Sequence, residues 1–120
     1  MKLRIKGDSL RLRLSQKDVQ QLMTTGVVEV TTHFASGPAL RYAVETRAEA
    51  ESIAAEFADM RIVVTLPERD VRAWAKSEQV GLYGETGLLA IAVEKDFACI
   101  DRDDPEDVDA FPNPKGAAVC

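Results

Sequence analysis

The chain has 120 residues, of which 46% are hydrophobic and 29% charged, and its net charge is −5. This length suits a single domain that buries a core without disulfides or metals. Its acidity argues against nucleic-acid binding, and the longest apolar run, Leu88 to Val93, is too short to span a membrane.

The compartment is predicted from the N-terminus and the cysteines. The first six residues alternate apolar and basic side chains, without the continuous apolar stretch of a signal peptide. Two cysteines, Cys99 and Cys120, do not make a disulfide framework. Both observations predict a cytoplasmic protein. Apolar neighbours on either side predict that Cys99 is a reduced, buried thiol.

The first predicted element is a β-hairpin. Apolar and polar residues alternate on both sides of Gly7-Asp8, a pattern typical of two antiparallel strands joined by a two-residue turn. This turn places Arg4 opposite Arg11 and Lys2 opposite Arg13. One face of the hairpin is therefore basic and the other is apolar.

A helix and two strands follow the hairpin. Ser15 and Asp18 have the spacing of a capping box, and Gly26 suits the C-terminal end of the helix. Residues 28–34 and 40–44 then alternate apolar and polar side chains, which predicts a second pair of strands.

The second half repeats the first. Leu40-Arg-Tyr-Ala-Val-Glu45 matches Leu89-Ala-Ile-Ala-Val-Glu94, and weaker matches occur in the same order along the chain. A turn at Ala58-Asp59 predicts a hairpin in which Glu56 lies opposite Arg61.

The start of the second helix and the last two strands complete this repeat. Thr65 and Glu68 have capping-box spacing before the helix, and residues 80–93 supply the strands.

Two ββαββ units predict an α+β fold with eight mainly antiparallel strands and two helices. Eight strands with only two helices favour a barrel-like sheet, because every strand needs a covered face. The single domain, residues 1–120, comprises a first repeat (1–45), a second repeat (51–95) and an irregular, acidic, proline-containing C-terminal arm (96–120). Phe97, Ile100 and Phe111 are expected to anchor that arm.

The basic face of the first hairpin is the candidate site. Like charges directly opposite one another are destabilising unless something compensates them. Either carboxylates of the same molecule do so, with Glu29, Glu45 and Glu94 as first candidates and the acidic C-terminal arm as a further source, or the face binds an anion. The candidate ligand-binding residues are Lys2, Arg4, Lys6, Arg11, Arg13 and Arg41.

A barrel built from a duplicated strand–helix–strand unit, with Arg, Lys and Glu side chains in its lumen, resembles the triphosphate tunnel enzymes. Those enzymes begin with a Glu-x-Glu-x-Lys motif whose carboxylates hold a metal ion. This chain begins Lys2-Leu3-Arg4-Ile5-Lys6 and lacks those carboxylates. The resemblance therefore concerns the architecture and does not imply the metal site.

The whole chain also resembles a small bacterial family with no assigned function. The similarity lies in three segments, and it implies neither an activity nor site residues. The segments are Met1-Lys-Leu-Arg-Ile-Lys-Gly7, Thr31-Thr-His-Phe34, and Glu94-Lys-Asp-Phe-Ala-Cys99 leading to Phe111-Pro-Asn-Pro114.

No motif predicts catalysis, a cofactor or a metal site. His33, Cys99 and Cys120 lack the spacing of metal ligands, and the acidic run from Asp101 to Asp109 lacks the glycine and final glutamate of a calcium loop. We therefore expect a non-enzymatic binding or interaction module, with a homodimer left open. The alternative is a binder or hydrolase of small phosphate-like anions at the basic hairpin face.

Overall fold

The computed structural model describes residues 1–98 and 111–112. Within them the order strand, strand, helix, strand, strand occurs twice, as predicted. The elements are β1 (Lys2–Lys6), β2 (Ser9–Leu14), α1 (Gln16–Thr25), β3 (Val27–Thr32), β4 (Leu40–Arg47), β5 (Ala54–Ala58), β6 (Arg61–Pro67), α2 (Glu68–Ala75), β7 (Gly81–Thr86) and β8 (Leu89–Lys95).

The eight strands form two four-stranded sheets, and not the one barrel-like sheet that the sequence favoured. Sheet A has the order β1-β2-β8-β7 and sheet B the order β3-β4-β6-β5. Each consists of two antiparallel hairpins joined through a parallel pair, β2 with β8 or β4 with β6. Each sheet therefore combines one hairpin from each half, and two apolar faces cover each other without closure.

The core lies between the apolar faces of the two sheets and the two helices. Trp74 of α2 is fully buried, and its Nε1 donates a hydrogen bond to the Val80 carbonyl oxygen at 3.1 Å. Where β5 and β7 approach, Ile53 packs over Gly84. The other large buried side chains are Leu12, Leu14, Leu22, Val44, Val64, Leu66, Val71 and Val93.

The register of the first hairpin is confirmed, whereas that of the second is shifted by two residues. Glu56 lies opposite Val63, and not opposite Arg61 as predicted. The turn is formed by Asp59 and Met60, which both have positive φ, 52° and 59°. A left-handed methionine costs about 1–2 kcal/mol, so sequence rules do not place a turn there. A two-residue shift keeps the same side chains facing the core.

The helices differ in how they begin. The predicted capping box of α1 is confirmed, with Ser15 Oγ accepting from the Asp18 amide at 3.2 Å and Asp18 Oδ2 accepting from the Ser15 amide at 2.9 Å. Gly26 ends α1 with a φ of 82°. The second box does not form, because Thr65 lies within β6 and α2 starts directly after Pro67. Neither described helix is long and apolar enough to cross a membrane.

Two of the expected anchors of the C-terminal arm lie in the described part of the chain. Phe97 is half-exposed and lines a shallow groove with Leu14, Val19 and Met23, whereas Phe111 is 96% exposed. The third, Ile100, lies outside the described residues. The predictions for Cys99, Cys120 and the acidic run fall on residues outside the described part of the chain.

Candidate functional site

The outer face of sheet A carries the charged side chains of the first hairpin. Arg4 of β1 lies opposite Arg11 of β2, and Arg11 lies beside Ala92 of β8. Ala92 in turn lies opposite Tyr83 of β7. One row therefore crosses all four strands, with two arginines at one end, a tyrosine at the other and a small alanine between them.

A groove with a volume of about 270 Å³ follows this row. Its floor includes the small side chains of Ala90 and Ala92, which alternate with the core residues of β8. Cations of β1 and β2 line one side, and polar side chains of β7 line the other. We call it the basic groove, and its walls are formed by Arg4, Lys6, Arg11, Tyr83 and Glu85.

One carboxylate, that of Glu94, organises the end of this face. Its Oε1 lies 3.2 Å from Nε of Arg11 and 4.0 Å from Nε of Arg13. Its Oε2 accepts a hydrogen bond of 2.7 Å from the Tyr83 hydroxyl. Burial, together with that hydrogen bond to a carboxylate, raises the pKa of Tyr83 to about 12. The hydroxyl is the donor of this hydrogen bond and Glu94 the acceptor.

The prediction that the molecule's own acids compensate the basic hairpin is right for Glu94 but wrong for two others. Glu29 and Glu45 bind Arg61 on sheet B, at 2.6 and 3.0 Å. Asp96, the first residue of the C-terminal arm whose acids were also expected to contribute, lies 2.9 Å from Nζ of Lys2. The physical reason is the strand order, which separates β3 and β4 from the first hairpin.

Five of the six predicted ligand-binding residues share the outer face of sheet A. Three of them line the basic groove, and Lys2 and Arg13 flank it as an opposed pair. Arg41 lies on sheet B, beside Arg61 and opposite Thr31, so it does not contribute to the groove. The structure thus brings most of the predicted set together and leaves Arg41 out.

Comparison with known families adds one result. The sequence matches the family of unknown function DUF7009 over residues 1–115. The chain belongs to DUF7009. No curated protein and no solved structure matches it. The predicted membership of a small uncharacterised family is therefore confirmed, and the chemistry of this DUF7009 protein has to be derived from its own side chains.

Sheet B of this DUF7009 chain carries a second charge cluster, centred on Arg61. The hydrogen bond from Arg61 lowers the pKa of Glu45, against a smaller opposing effect of burial. The hydrogen bond to Glu29 raises the pKa of Arg61. Two carboxylates hold this guanidinium, and Arg47 lies 3.3 Å from Glu45 as a second cation, so the cluster balances its own charges.

The basic side chains of the first hairpin point outward, whereas the charged side chains of the tunnel enzymes point into a lumen. Leu3 and Leu12, which neighbour these cations along the chain, lie on the opposite face of sheet A, where Leu12 is fully buried. Since side chains alternate between the two faces of a strand, the basic side chains point away from the core. The described sheets therefore enclose an apolar core and hold the charges outside.

Sequence reasoning missed the far side of the groove. Tyr83 and Glu85 were not predicted as site residues, although both alternate with inward-facing residues of β7. Ala90 and Ala92 give a further signal, because small residues between Leu89, Ile91 and Val93 mark a shallow outer face. Only the parallel pairing of β2 with β8 places these residues beside the basic hairpin.

Within residues 1–98 and 111–112, no three His, Cys, Asp or Glu side chains lie close enough together to hold a metal ion. His33 is exposed in the segment that follows β3. The arrangement of the described side chains suits binding of an anion through charge and hydrogen bonds.

Proposed function

We propose that this protein is a non-enzymatic binding module that recognises a small phosphate-like anion in the basic groove. The observation that carries the proposal is the hollow over Ala90 and Ala92, bordered by Arg4, Lys6 and Arg11. A concave site with a few converging polar groups is the usual form of a ligand-binding site.

The charge of the face supports an anionic ligand. Five cations and three carboxylates (Glu85, Glu94 and Asp96) lie on the outer face of sheet A, in a chain whose net charge is −5. The face is locally positive on a negative molecule. This contrast attracts a small anion to one place while the rest of the surface repels a long polyanion.

Arg11 is the central residue of the proposed site. Its Nε faces Glu94, and a guanidinium carries five N–H donors in a planar fork. The carboxylate therefore fixes the orientation of the side chain without using all its donors. Two or three oxygens of a phosphate match the remaining donors of such a fork.

The experiment is a titration with inorganic phosphate at constant ionic strength, followed by amide NMR shifts and by calorimetry. We expect saturable binding with shifts centred on Arg11, Ala92 and Tyr83. Arg11→Gln should weaken binding about tenfold or more, since a charge-assisted hydrogen bond is worth about 1.5–3 kcal/mol.

Arg41→Gln is the matched control, because it removes one exposed arginine from the other sheet. It should leave the affinity unchanged. Equal losses in the two variants would indicate a general effect of net charge, and an absence of saturable binding would overturn the proposed function.

We also infer that the two halves arose by internal duplication. The support is the strand order: exchanging the halves turns the order of sheet A into that of sheet B. The matching segments ending in Glu45 and Glu94 also occupy corresponding positions, each in a strand at the centre of its sheet. The barrel-like closure has no such support from the hydrogen bonding of the described strands.

A further inference from the structure

The side chain of Tyr83 has an unusual position on the outer face of sheet A. Its hydroxyl oxygen lies 2.9 Å from the point that a Cβ on Gly81 would occupy. Residues two apart on a strand lie about 6.5–7 Å from each other on the same face. The ring therefore lies along β7 and covers Gly81, and only glycine leaves room for it.

This ring is both held in place and open to ligands. The hydrogen bond to Glu94 fixes its far end, yet 61% of the residue is exposed. The same hydrogen bond contributes, after burial, to raising the pKa of the hydroxyl to about 12. A fixed aromatic surface loses little conformational entropy when a ligand packs on it.

The ring and the cations occupy opposite sides of the same groove. Arg11 and Tyr83 lie in one row with Ala92 between them, so their strands are two spacings apart, or about 10 Å. The floor between them is made of methyl groups. One ligand can therefore contact the arginine with an anionic end and the ring with a planar end.

The carboxylates give the groove a direction. On the outer face of sheet A the described cations lie on β1 and β2 and Glu85 lies on β7, while Glu94 of β8 is shared between the two arginines of β2 and the Tyr83 hydroxyl. A second anionic group near Tyr83 would meet these carboxylates and be repelled. An uncharged ring with N–H or O–H donors would instead find acceptors there. An acidic peptide or a second phosphate fits this end poorly.

We propose that the ligand of the basic groove is a mononucleotide, or a planar heterocycle of the same kind that bears a phosphate. Its phosphate contacts Arg4, Lys6 and Arg11, and its base packs against Tyr83. This proposal rests on the proposed function and adds the class of the ligand.

The test compares three probes that differ in one part each: adenosine monophosphate, ribose 5-phosphate and inorganic phosphate. We expect the nucleotide to bind about tenfold more tightly than ribose 5-phosphate, the size of effect that base stacking on an aromatic side chain gives. Tyr83→Leu should abolish this difference between the two ligands. Tyr83→Phe, which keeps the ring, should retain most of it.

The outcomes separate the two proposals. Equal binding of the nucleotide and ribose 5-phosphate would overturn the role of the ring while leaving phosphate recognition intact. A nucleotide preference that survives Tyr83→Leu would do the same. Binding of none of the three probes would overturn the proposed function as well. Thermal unfolding of each variant checks that the fold persists. Arg11→Gln should lower the affinity for adenosine monophosphate and for ribose 5-phosphate by the same factor.

Discussion

The outer faces of the two sheets occupy corresponding places in the fold but carry opposite chemistry. In sheet B the row Glu29, Ala43, Val63 and Glu56 crosses the four strands. In sheet A the corresponding row contains an aromatic ring, an alanine and two arginines. The central alanine of sheet B is fully buried, whereas that of sheet A is only half-buried.

The difference shows how the two faces balance their charges. In sheet B two carboxylates hold Arg61, and its side chain lies over the face. In sheet A two arginines share the carboxylate of Glu94, and Ala92 is only half-buried. The two sheets share the same pattern of core-facing residues. The outer face of sheet B is nevertheless covered by its ion-paired side chains, whereas that of sheet A contains the basic groove. Variants that exchange features of the two faces test this comparison.

The largest loss of stability is expected at Gly84, where sheet A lacks a side chain that sheet B has. Gly84 corresponds to Val30 of sheet B, and a Cβ at Gly84 would lie 1.6 Å from Cγ2 of Ile53. Gly84→Ala should lower the free energy of unfolding by about 2–3 kcal/mol, measured by urea denaturation, because Ile53 has to move within the core.

Ile53→Ala supplies the control for this overpacking. The double variant Gly84→Ala/Ile53→Ala should lose less stability than the sum of the two single losses, since Ile53→Ala makes room for the new methyl group and that group fills part of the space left by Ile53. Additive losses would show that Ile53 is not the residue that excludes a side chain at position 84.

A smaller loss of stability is expected when the Arg61 ion pairs on the outer face of sheet B are removed. Arg61→Leu leaves Glu29 and Glu45 without their shared partner, and should lower the free energy of unfolding by about 1–2 kcal/mol. Arg41→Leu on the same face should cause no loss, because Arg41 lies directly beside Arg61 and repels it. Equal losses from the two variants would contradict the assignment of the ion pairs.

The difference in stability between the wild type and Arg61→Leu should also depend on pH. Arg61 lowers the pKa of Glu45 in the folded state, so the resulting stability is full above the ordinary pKa of 4.5 and is lost as the pH falls below it. The gap in melting temperature between the wild type and Arg61→Leu should therefore narrow between about pH 6 and about pH 3. A gap that stays constant would rule out this carboxylate as its source.

The smallest effect concerns Tyr83 and is spectroscopic. In a Tyr42→Phe background Tyr83 is the only tyrosine, and its ultraviolet titration should have a midpoint of about 12. Because this pKa is raised, the associated stability is present below the ordinary value of 10 and is lost as the pH rises towards 12. Glu94→Gln should lower the midpoint, and Glu85→Gln should leave it unchanged. An unaltered midpoint in Glu94→Gln would contradict the hydrogen bond.

Local patterns predicted the elements and the first hairpin well. Alternation around Gly7-Asp8 fixed which cations oppose each other, and the spacing of Ser15 and Asp18 fixed the start of α1. The second turn was misplaced because Met60 adopts a conformation that its side chain disfavours. Local sequence therefore succeeds where the backbone follows its intrinsic preferences.

The site was only half predictable for a different reason. The basic half lies within one hairpin, so its residues are close in sequence. The other half, with Tyr83 and Ala92, comes from strands about eighty residues later and depends on the pairing of β2 with β8. No periodicity within a strand specifies its neighbour in a sheet, which is also why Arg41 was grouped with the hairpin cations although it lies on sheet B.

The same pairing has a consequence for the order in which the protein folds during synthesis. Sheet B uses residues 27–67, so all its strands have been made once synthesis has passed a little more than half of the chain. Sheet A pairs β2 with β8. Its core-facing residues Leu10 and Leu12 therefore have no neighbouring strand on that side until Ile91 and Val93 have been synthesised. Contacts this distant in sequence form slowly, and exposed apolar strands promote aggregation meanwhile. The nascent chain is therefore most vulnerable in the interval between the two sheets, with its N-terminal hairpin made and its partner strand still to come.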